Sequence, residues 1–159
     1  MKENIEQLYL KGRLAKLLLE EEISRVPSGR KVDVKVLEKR IDIKLDGRDL
    51  IVVLKKLRES EKISFDFLDC IICYQKKDDF SFIYQIYSTE TWQALSIKAV
   101  LPAGTSSIES VTSIYPAALL MEHEIFEMYG IHFEGANYDT NLFLNSGDRS
   151  FPMRRNING

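Results

Sequence analysis

Hydrophobic residues alternate with polar ones, or run together, along five stretches of the chain, which is typical of strands that bury at least one face. In residues 40–45, for example, Ile41, Ile43 and Leu45 point one way and the polar residues the other. The predicted strands span residues 31–36, 40–45, 64–74, 80–87 and 92–101. The turn at Lys76–Asp79 should join two of them as an antiparallel hairpin. The pattern predicts an antiparallel or mixed sheet of four or five strands.

Apolar residues at helical spacing predict helices between these strands. Residues 2–24 form an amphipathic candidate, and a second helix over residues 48–60 follows a cap at Asp46-Gly47. Its apolar stripe consists of Leu50, Val53, Leu54 and Leu57. A short helix is predicted over Ser107–Ser113, with Ser107 as its cap.

The order of these elements predicts an α+β fold, a single domain whose helices pack on one face of the sheet. We expect an N-terminal helix and linker over residues 1–30 and an α+β domain over residues 31–135. Residues 136–159 lack periodicity and are rich in Asn, Asp and Gly, so we expect an extended C-terminal arm.

A third helix begins near Pro116, because proline suits the first helical turn, where a backbone donor is not needed. Gly130 should end it in the left-handed conformation, and residues 131–133 should then be extended. Its apolar arc consists of Ala118, Met121, Ile125, Met128 and Tyr129. The opposite arc should face solvent and consists of His123, Glu124 and Glu127.

Glu122 projects from the apolar side of this helix, where a carboxylate must find a partner or shift its pKa. A structural carboxylate is favoured over a general acid, since no nucleophile or second acid shares that face. Its partner could be the backbone near Phe133–Gly135, Arg154, or a cation from another protein. His123 and Glu127 are four residues apart and can pair. A surface ion pair is favoured over a charge network at an interface, and a metal site is the least favoured alternative.

Cys70 and Cys73 have the spacing of a metal or redox pair. A second pair is missing, and residues three apart on a strand face opposite sides of the sheet. We therefore expect buried structural cysteines. The metalloprotease pattern H-E-x-x-H is also absent.

The composition of the 159-residue chain, with 45% hydrophobic residues and a net charge of −2, is that of an ordinary globular domain. A nucleic-acid partner is not expected, because there is no basic excess. No apolar run approaches the roughly 20 residues of a membrane span, and the charged N-terminus is not expected to be a signal peptide. Two cysteines favour a reducing cytoplasm.

The run from Glu122 to Ile131, EHEIFEMYGI, resembles the E-R-E-x-x-D-M-F-G-I signature of a family of respiratory proteins. This is the family of the C subunit, the thirty-kilodalton subunit of respiratory complex I and of complex-I-like, energy-converting nickel–iron hydrogenases. Residues 111–116, 133–135 and 152–155 resemble its V-x-x-I-W/Y-P, F-x-G and P-L-R-K segments. His123 stands where the family has Arg, Glu127 where it has Asp, and the usual His-Pro does not follow Gly135.

The resemblance implies a cofactor-free subunit in the peripheral arm of a membrane-bound, ion-translocating electron-transport complex, on the cytoplasmic side of the cell membrane. The implied partners are the large catalytic subunit and the small iron–sulfur subunit. Those subunits would hold the iron–sulfur clusters and, in a hydrogenase, the nickel–iron centre. The implied motif and interface residues are Glu122, His123, Glu124, Glu127, Tyr129, Gly130, Phe133, Gly135, Arg154 and Arg155. Arg149, Arg154 and Arg155 form either a solvated tail or, as the resemblance favours, an arm laid on a partner.

Two enzyme contexts share such a subunit. The short segment after Arg155 and the missing His-Pro slightly favour a ferredoxin-dependent, proton-reducing hydrogenase. NADH:quinone oxidoreductase is the alternative. A stand-alone adaptor domain, or a small enzyme using Glu122 and His123, is a more distant one.

Overall fold

A computed structural model describes residues 23, 26, 29, 32–36, 40–61, 64–138 and 140–155. In chain order the elements are β1 (Asp33–Val36), β2 (Arg40–Asp46), a 3-10 turn (Gly47–Asp49), α1 (Leu50–Glu59), β3 (Phe67–Lys76), β4 (Asp79–Tyr87), β5 (Ala94–Leu101), β6 (Ser107–Glu109), α2 (Ala118–Tyr129) and β7 (His132–Glu134). Most of the helix predicted over residues 2–24 lies outside the described residues. Within it, Ile23 is helical and buried.

The main sheet has five strands in the order β1-β2-β5-β4-β3. Its one parallel pair is β2 with β5, and its other neighbours are antiparallel. Alternate residues of the central strands are buried on one face, as Phe82 and Tyr84 show on β4. Residues of both helices join the same hydrophobic cluster. The predicted α+β domain, with a mixed sheet and helices on one face, is thus confirmed.

The start of α1 also follows the prediction. Asp46 Oδ1 accepts a hydrogen bond from the backbone N–H of Arg48 at 3.1 Å and so caps the 3-10 turn that leads into the helix. The predicted apolar stripe is fully buried; it comprises Leu50, Val53, Leu54 and Leu57.

The short helix predicted over Ser107–Ser113 is wrong. Ser107–Glu109 is a strand that pairs in parallel with β7, forming a separate two-stranded sheet. The Ser110 N–H extends this pairing by donating to the carbonyl of Glu134 at 2.9 Å. Ser107 does not cap a helix, because its hydroxyl instead donates to the Glu134 side chain at 2.7 Å. The partner strand comes from beyond α2, which local spacing cannot reveal.

Gly130 ends α2 as predicted, with φ +70° and its N–H donating to the carbonyl of Phe126 at 2.8 Å. The ring of Phe151 lies directly against this glycine, so that a β-carbon there would stand 3.0 Å from the ring. The C-terminal segment therefore packs where the helix ends.

Replacing Gly130 with alanine should cost roughly 2–3 kcal/mol of unfolding free energy, because left-handed backbone strain of roughly 1–2 kcal/mol is joined by the contact with Phe151. Gly104→Ala is the matched control, since Gly104 has φ +81° but open space around its missing β-carbon. Urea unfolding of both variants measures the difference. Equal losses would show that Phe151 moves aside at no cost.

Candidate functional site

Three polar residues of the α2 motif face inward. Glu122, His123 and Glu127 are 0%, 5% and 1% exposed, whereas Glu124 is exposed as predicted. The prediction that His123 and Glu127 lie on a solvent-facing arc is therefore wrong. The chain after Gly135 folds back over that arc and covers it.

Glu122 joins α2 to the turn that follows β6. Its Oε2 accepts from the Ser110 hydroxyl at 2.7 Å, and its Oε1 accepts from the Val111 N–H at 2.8 Å. The prediction of a structural carboxylate bonded within the fold agrees with this geometry, but neither the backbone near residues 133–135 nor Arg154 is the donor. Burial raises the pKa of Glu122, and the hydrogen bonds from Ser110 and Val111 partly oppose that rise.

Two buried tyrosine hydroxyls lie close to Glu122. That of Tyr84 has no hydrogen-bond partner among the described residues. That of Tyr138 is close enough to the Glu122 carboxylate to act on its pKa, although its geometry lies outside that of a regular hydrogen bond. Burial and the nearby Glu122 carboxylate raise the pKa of both tyrosines. The polar groups around Glu122 are thus neutral, and burial among them raises the pKa of this carboxyl above its ordinary value.

Glu127 fixes the loop that covers it. Its carboxylate accepts from the backbone N–H groups of Leu142, Phe143 and Leu144 at 2.5, 3.0 and 2.7 Å. His123 Nε2 lies 3.2 Å from Glu127 Oε1, without hydrogen-bond alignment. The predicted pairing of these two residues is confirmed, but it is buried rather than on the surface. Burial opposes ionisation, yet the amide donors and His123 outweigh it, so that the pKa of Glu127 is lowered.

Aromatic groups enclose His123. Its ring stacks on Tyr138 with centroids 4.6 Å apart, and Tyr138 stacks in turn on Phe126 at 5.3 Å. The guanidinium of Arg149 lies 5.1 Å above the Phe126 ring. This stack places the histidine inside the fold, away from where a solvent-borne substrate could reach it.

The other motif residues also make contacts that support the fold. The Tyr129 hydroxyl donates to the carbonyl of Cys73 at 3.0 Å, which joins α2 to β3. Phe133 is fully buried and meets Phe82 edge-on, with centroids 6.0 Å apart. Gly135 has φ +88° and begins the turn after β7. These residues hold α2 and β7 on the main sheet.

The last described residues return to the same domain. The Met153 N–H donates to the carbonyl of Met128 at 3.0 Å. The N–H of Arg155 donates to Gln75 Oε1 at 2.8 Å, and the exposed guanidinium of Arg154 lies 5.8 Å from the Phe80 ring centroid. The expected arm is thus laid, as far as residue 155, on its own domain, with its arginines outward.

Cys70 and Cys73 face opposite sides of the sheet, as predicted, because their β4 partners Gln85 and Phe82 do so. Both thiols are free. They are half-buried rather than buried as predicted, since β3 is an edge strand. Burial raises the pKa of both, and that of Cys73 to about 12.

Thiol labelling at pH 8 should therefore modify Cys70 well before Cys73, because only the thiolate reacts. The rate measured with an excess of a chromogenic disulfide should be biphasic in the natural chain. Cys73→Ala should abolish the slow phase alone. Loss of the fast phase in that variant would contradict the assignment.

Within the described ranges, no group of three or more His, Cys, Asp or Glu residues is placed to hold a metal ion. None of the helices in the described part of the chain is long and apolar enough to cross a membrane.

The sequence does not reveal that Ser110 donates a hydrogen bond to Glu122, or that the loop over residues 142–144 binds Glu127. Ser110 falls within the short helix predicted from local spacing, and the loop lies in a stretch without periodicity. The one local signal is the apolar run Leu142-Phe143-Leu144 inside a polar segment.

The structure is thus a single α+β domain. Two carboxylates of its α2 motif, those of Glu122 and Glu127, bind the turn after β6 and the loop over residues 142–144 of the same chain. The sequence profile of the family "Respiratory-chain NADH dehydrogenase, 30 Kd subunit" matches residues 43–159. The chain belongs to this family, in agreement with the resemblance found in the α2 motif.

Three similar proteins illustrate the relationship. The C subunit of NADH-quinone oxidoreductase from Sinorhizobium medicae is 32% identical over 114 residues, which cover 70% of this chain but only 56% of that protein. The C/D subunit of the same enzyme from Azotobacter vinelandii is 36% identical over 77 residues, covering 48% of this chain and 13% of that protein. A chain of the membrane-bound sulfane sulfur reductase, an archaeal respiratory membrane complex, has the same fold: the TM-score is 0.76 at 21% identity, over 91% of this chain and 84% of that one.

Proposed function

We propose that this chain is the C subunit of a complex-I-like respiratory complex of the NADH:quinone oxidoreductase type, without a cofactor of its own. The family match over residues 43–159, which includes the whole α2 motif, is the observation that carries the proposal. The hydrogenase context expected from the sequence has weaker support, because the sequence relatives described above are quinone oxidoreductase subunits.

The geometry of the motif supports a scaffold function. Glu122 holds the turn after β6, and Glu127 holds the loop over residues 142–144. Both carboxylates are therefore engaged in shaping one side of the domain. A small enzyme using Glu122 and His123 is disfavoured, because both side chains are enclosed by the fold.

We further propose that the large, D-type subunit is a direct partner, together with the small iron–sulfur subunit. The name of the Azotobacter relative supports the first pairing, because it joins the C and D subunits in one chain. The exposed motif residues Glu124, Arg154 and Arg155 would contact these partners, and the buried ones would shape the surface. Attachment to the cytoplasmic side of the membrane would come through integral subunits.

Purification of the tagged chain from membranes of its native host tests this function. The D-type and iron–sulfur subunits should co-purify, and the complex should reduce a quinone with NADH. Hydrogen evolution from reduced ferredoxin, with two C-x-x-C pairs in the large subunit, would favour the hydrogenase instead. Recovery of the tagged chain alone would contradict both.

A further inference from the structure

A chain of hydrogen-bonded side chains leads from the buried carboxyl of Glu122 toward the surface of the domain. The Ser110 hydroxyl, which lies 2.7 Å from Glu122 Oε2, also lies 2.7 Å from Thr112 Oγ1, and either hydroxyl of this second pair can be the donor. Glu122 and Ser110 are buried, whereas Thr112 is partly exposed and precedes the exposed Ser113. Each step from the carboxyl to the partly exposed hydroxyl is therefore within hydrogen-bond distance.

The backbone of the turn after β6 holds these groups in line. The Thr112 N–H donates to Ser110 Oγ at 3.1 Å. The N–H of Val111, which lies between them in the sequence, donates to the other carboxyl oxygen, Glu122 Oε1, at 2.8 Å. Both oxygens of Glu122 are thus tied to the same three-residue turn, which keeps the two hydroxyls in register with the carboxyl.

The protons of this chain have two arrangements, and both satisfy the Ser110 oxygen. A hydroxyl has one proton to donate and two lone pairs to accept. With Glu122 ionised, Ser110 donates to the carboxylate and accepts from the Thr112 hydroxyl and N–H. With Glu122 protonated, Ser110 accepts from the carboxyl O–H and the Thr112 N–H, and donates to Thr112 Oγ1. The Thr112 proton is then free to bond water.

We propose that Ser110 and Thr112 form a hydroxyl relay through which the buried Glu122 carboxyl exchanges its proton with solvent while the domain stays folded. To load the carboxylate, a proton from water binds Thr112 Oγ1, the Thr112 proton passes to Ser110 Oγ, and the Ser110 proton passes to Glu122 Oε2. One O–H bond forms and one breaks at each hydroxyl oxygen, so that the net change is one proton gained by the carboxylate. Release runs through the same steps in reverse.

The other groups that face Glu122 offer no such route. They are the Val111 N–H from the turn, the Tyr84 hydroxyl from β4 and the Tyr138 hydroxyl from the segment after β7. Both tyrosine hydroxyls are buried, and none of these groups is charged at neutral pH. Because burial raises the pKa of Glu122, the exchange takes place closer to neutral pH than it would at an exposed glutamate.

NMR relaxation dispersion tests the relay, using the full chain labelled at its glutamate carboxyl carbons, at the midpoint of the Glu122 titration. The signal of Glu122 is the one that Glu122→Gln removes. Thr112→Val should slow its proton exchange about 10-fold or more, because the proton must then wait until the turn opens. Thr112→Ser keeps a hydroxyl and should restore the rate. Ser113→Ala removes the neighbouring exposed hydroxyl and is the matched control, with no change expected.

Hydrogen exchange of the Val111 amide separates the relay from opening of the turn. This N–H is bonded to the same carboxyl and exchanges when the turn opens, so that its rate should be equal in Thr112→Val and the natural chain. Slower exchange at Glu122 with an unchanged amide rate supports the relay. The relay is overturned if Thr112→Val leaves the Glu122 rate unchanged, if Thr112→Ser fails to restore it, or if Ser113→Ala slows it equally. A change of the amide and carboxyl rates by the same factor also overturns it.

Discussion

Replacing Glu127 with alanine is expected to free the loop over residues 142–144 and to lower the free energy of unfolding by roughly 2–4 kcal/mol. The carboxylate accepts from the N–H groups of Leu142, Phe143 and Leu144, and each donor left unpaired costs about 1–3 kcal/mol if it stays buried. The total is smaller than their sum, because the freed loop can turn its amides toward water. Urea unfolding gives the stability, and hydrogen exchange gives the protection of the three amides.

Two variants serve as controls. Glu127→Gln keeps one carbonyl oxygen as an acceptor and should lose less stability than the alanine variant. Glu124→Ala removes an exposed carboxylate from the same helix and should change stability by about 0.5 kcal/mol or less. If exchange at Leu142–Leu144 were unchanged in Glu127→Ala, the loop would be held by something other than this carboxylate.

The acid sensitivity of this loop follows from the lowered pKa of Glu127. Its ordinary value is 4.5, and the folded value lies below that. The stabilisation is therefore fully present above pH 4.5 and is lost as the pH falls through the folded pKa, because the folded state then takes up the proton less readily than the unfolded state does.

The elements predicted correctly are those encoded by neighbouring residues. The spacing of apolar side chains was enough to predict the strand over residues 40–45 and the buried stripe of α1. The end of α2 could be predicted from Gly130 alone, because glycine readily adopts the left-handed backbone conformation seen there, with φ +70°. A helical wheel is enough to place Glu122 on the apolar side of α2 and to show that its carboxylate needs a partner. It does not decide between a donor within the fold and a cation from another protein.

The elements predicted incorrectly depend on distant parts of the chain. Ser107–Glu109 is a strand only because β7, 25 residues later, lies beside it. Glu127 is buried only because residues 142–144 return to it. A wheel assigns residues to a polar arc but cannot show that a later loop will cover that arc. The same limit applies to Ser110 as the donor to Glu122.

The two inward carboxylates of α2 should respond to pH in opposite directions. Glu127 has a lowered pKa and Glu122 a raised one, each relative to an ordinary value of 4.5. For Glu122, the folded state keeps its proton above pH 4.5 while the unfolded state releases it. Its contribution is fully present below pH 4.5 and declines as the pH rises through the folded pKa. Glutamine variants at the two positions can therefore separate the two effects.

Replacement of Glu122 with alanine is expected to give the largest loss of stability, roughly 3–5 kcal/mol. The side chain is 0% exposed, so that its removal leaves a cavity and also leaves the N–H of Val111 without an acceptor. Unlike the loop over Glu127, the turn at Ser110–Val111 is buried and cannot move its donors into water. In the proposed respiratory complex, the variant should reduce the yield of assembled complex rather than the turnover of each complex that forms.

Glu122→Gln is the decisive comparison, because it keeps the shape and one acceptor oxygen. The amide oxygen can still accept from Val111, and the amide N–H can donate to the Ser110 hydroxyl, which can reverse its role. We expect a loss of about 1 kcal/mol or less at neutral pH, and the decline in stability above pH 4.5 should disappear. Urea unfolding between pH 4 and 8 tests both points. A glutamine variant that assembles and folds normally but has no turnover would show instead that the Glu122 proton takes part in the chemistry of the complex.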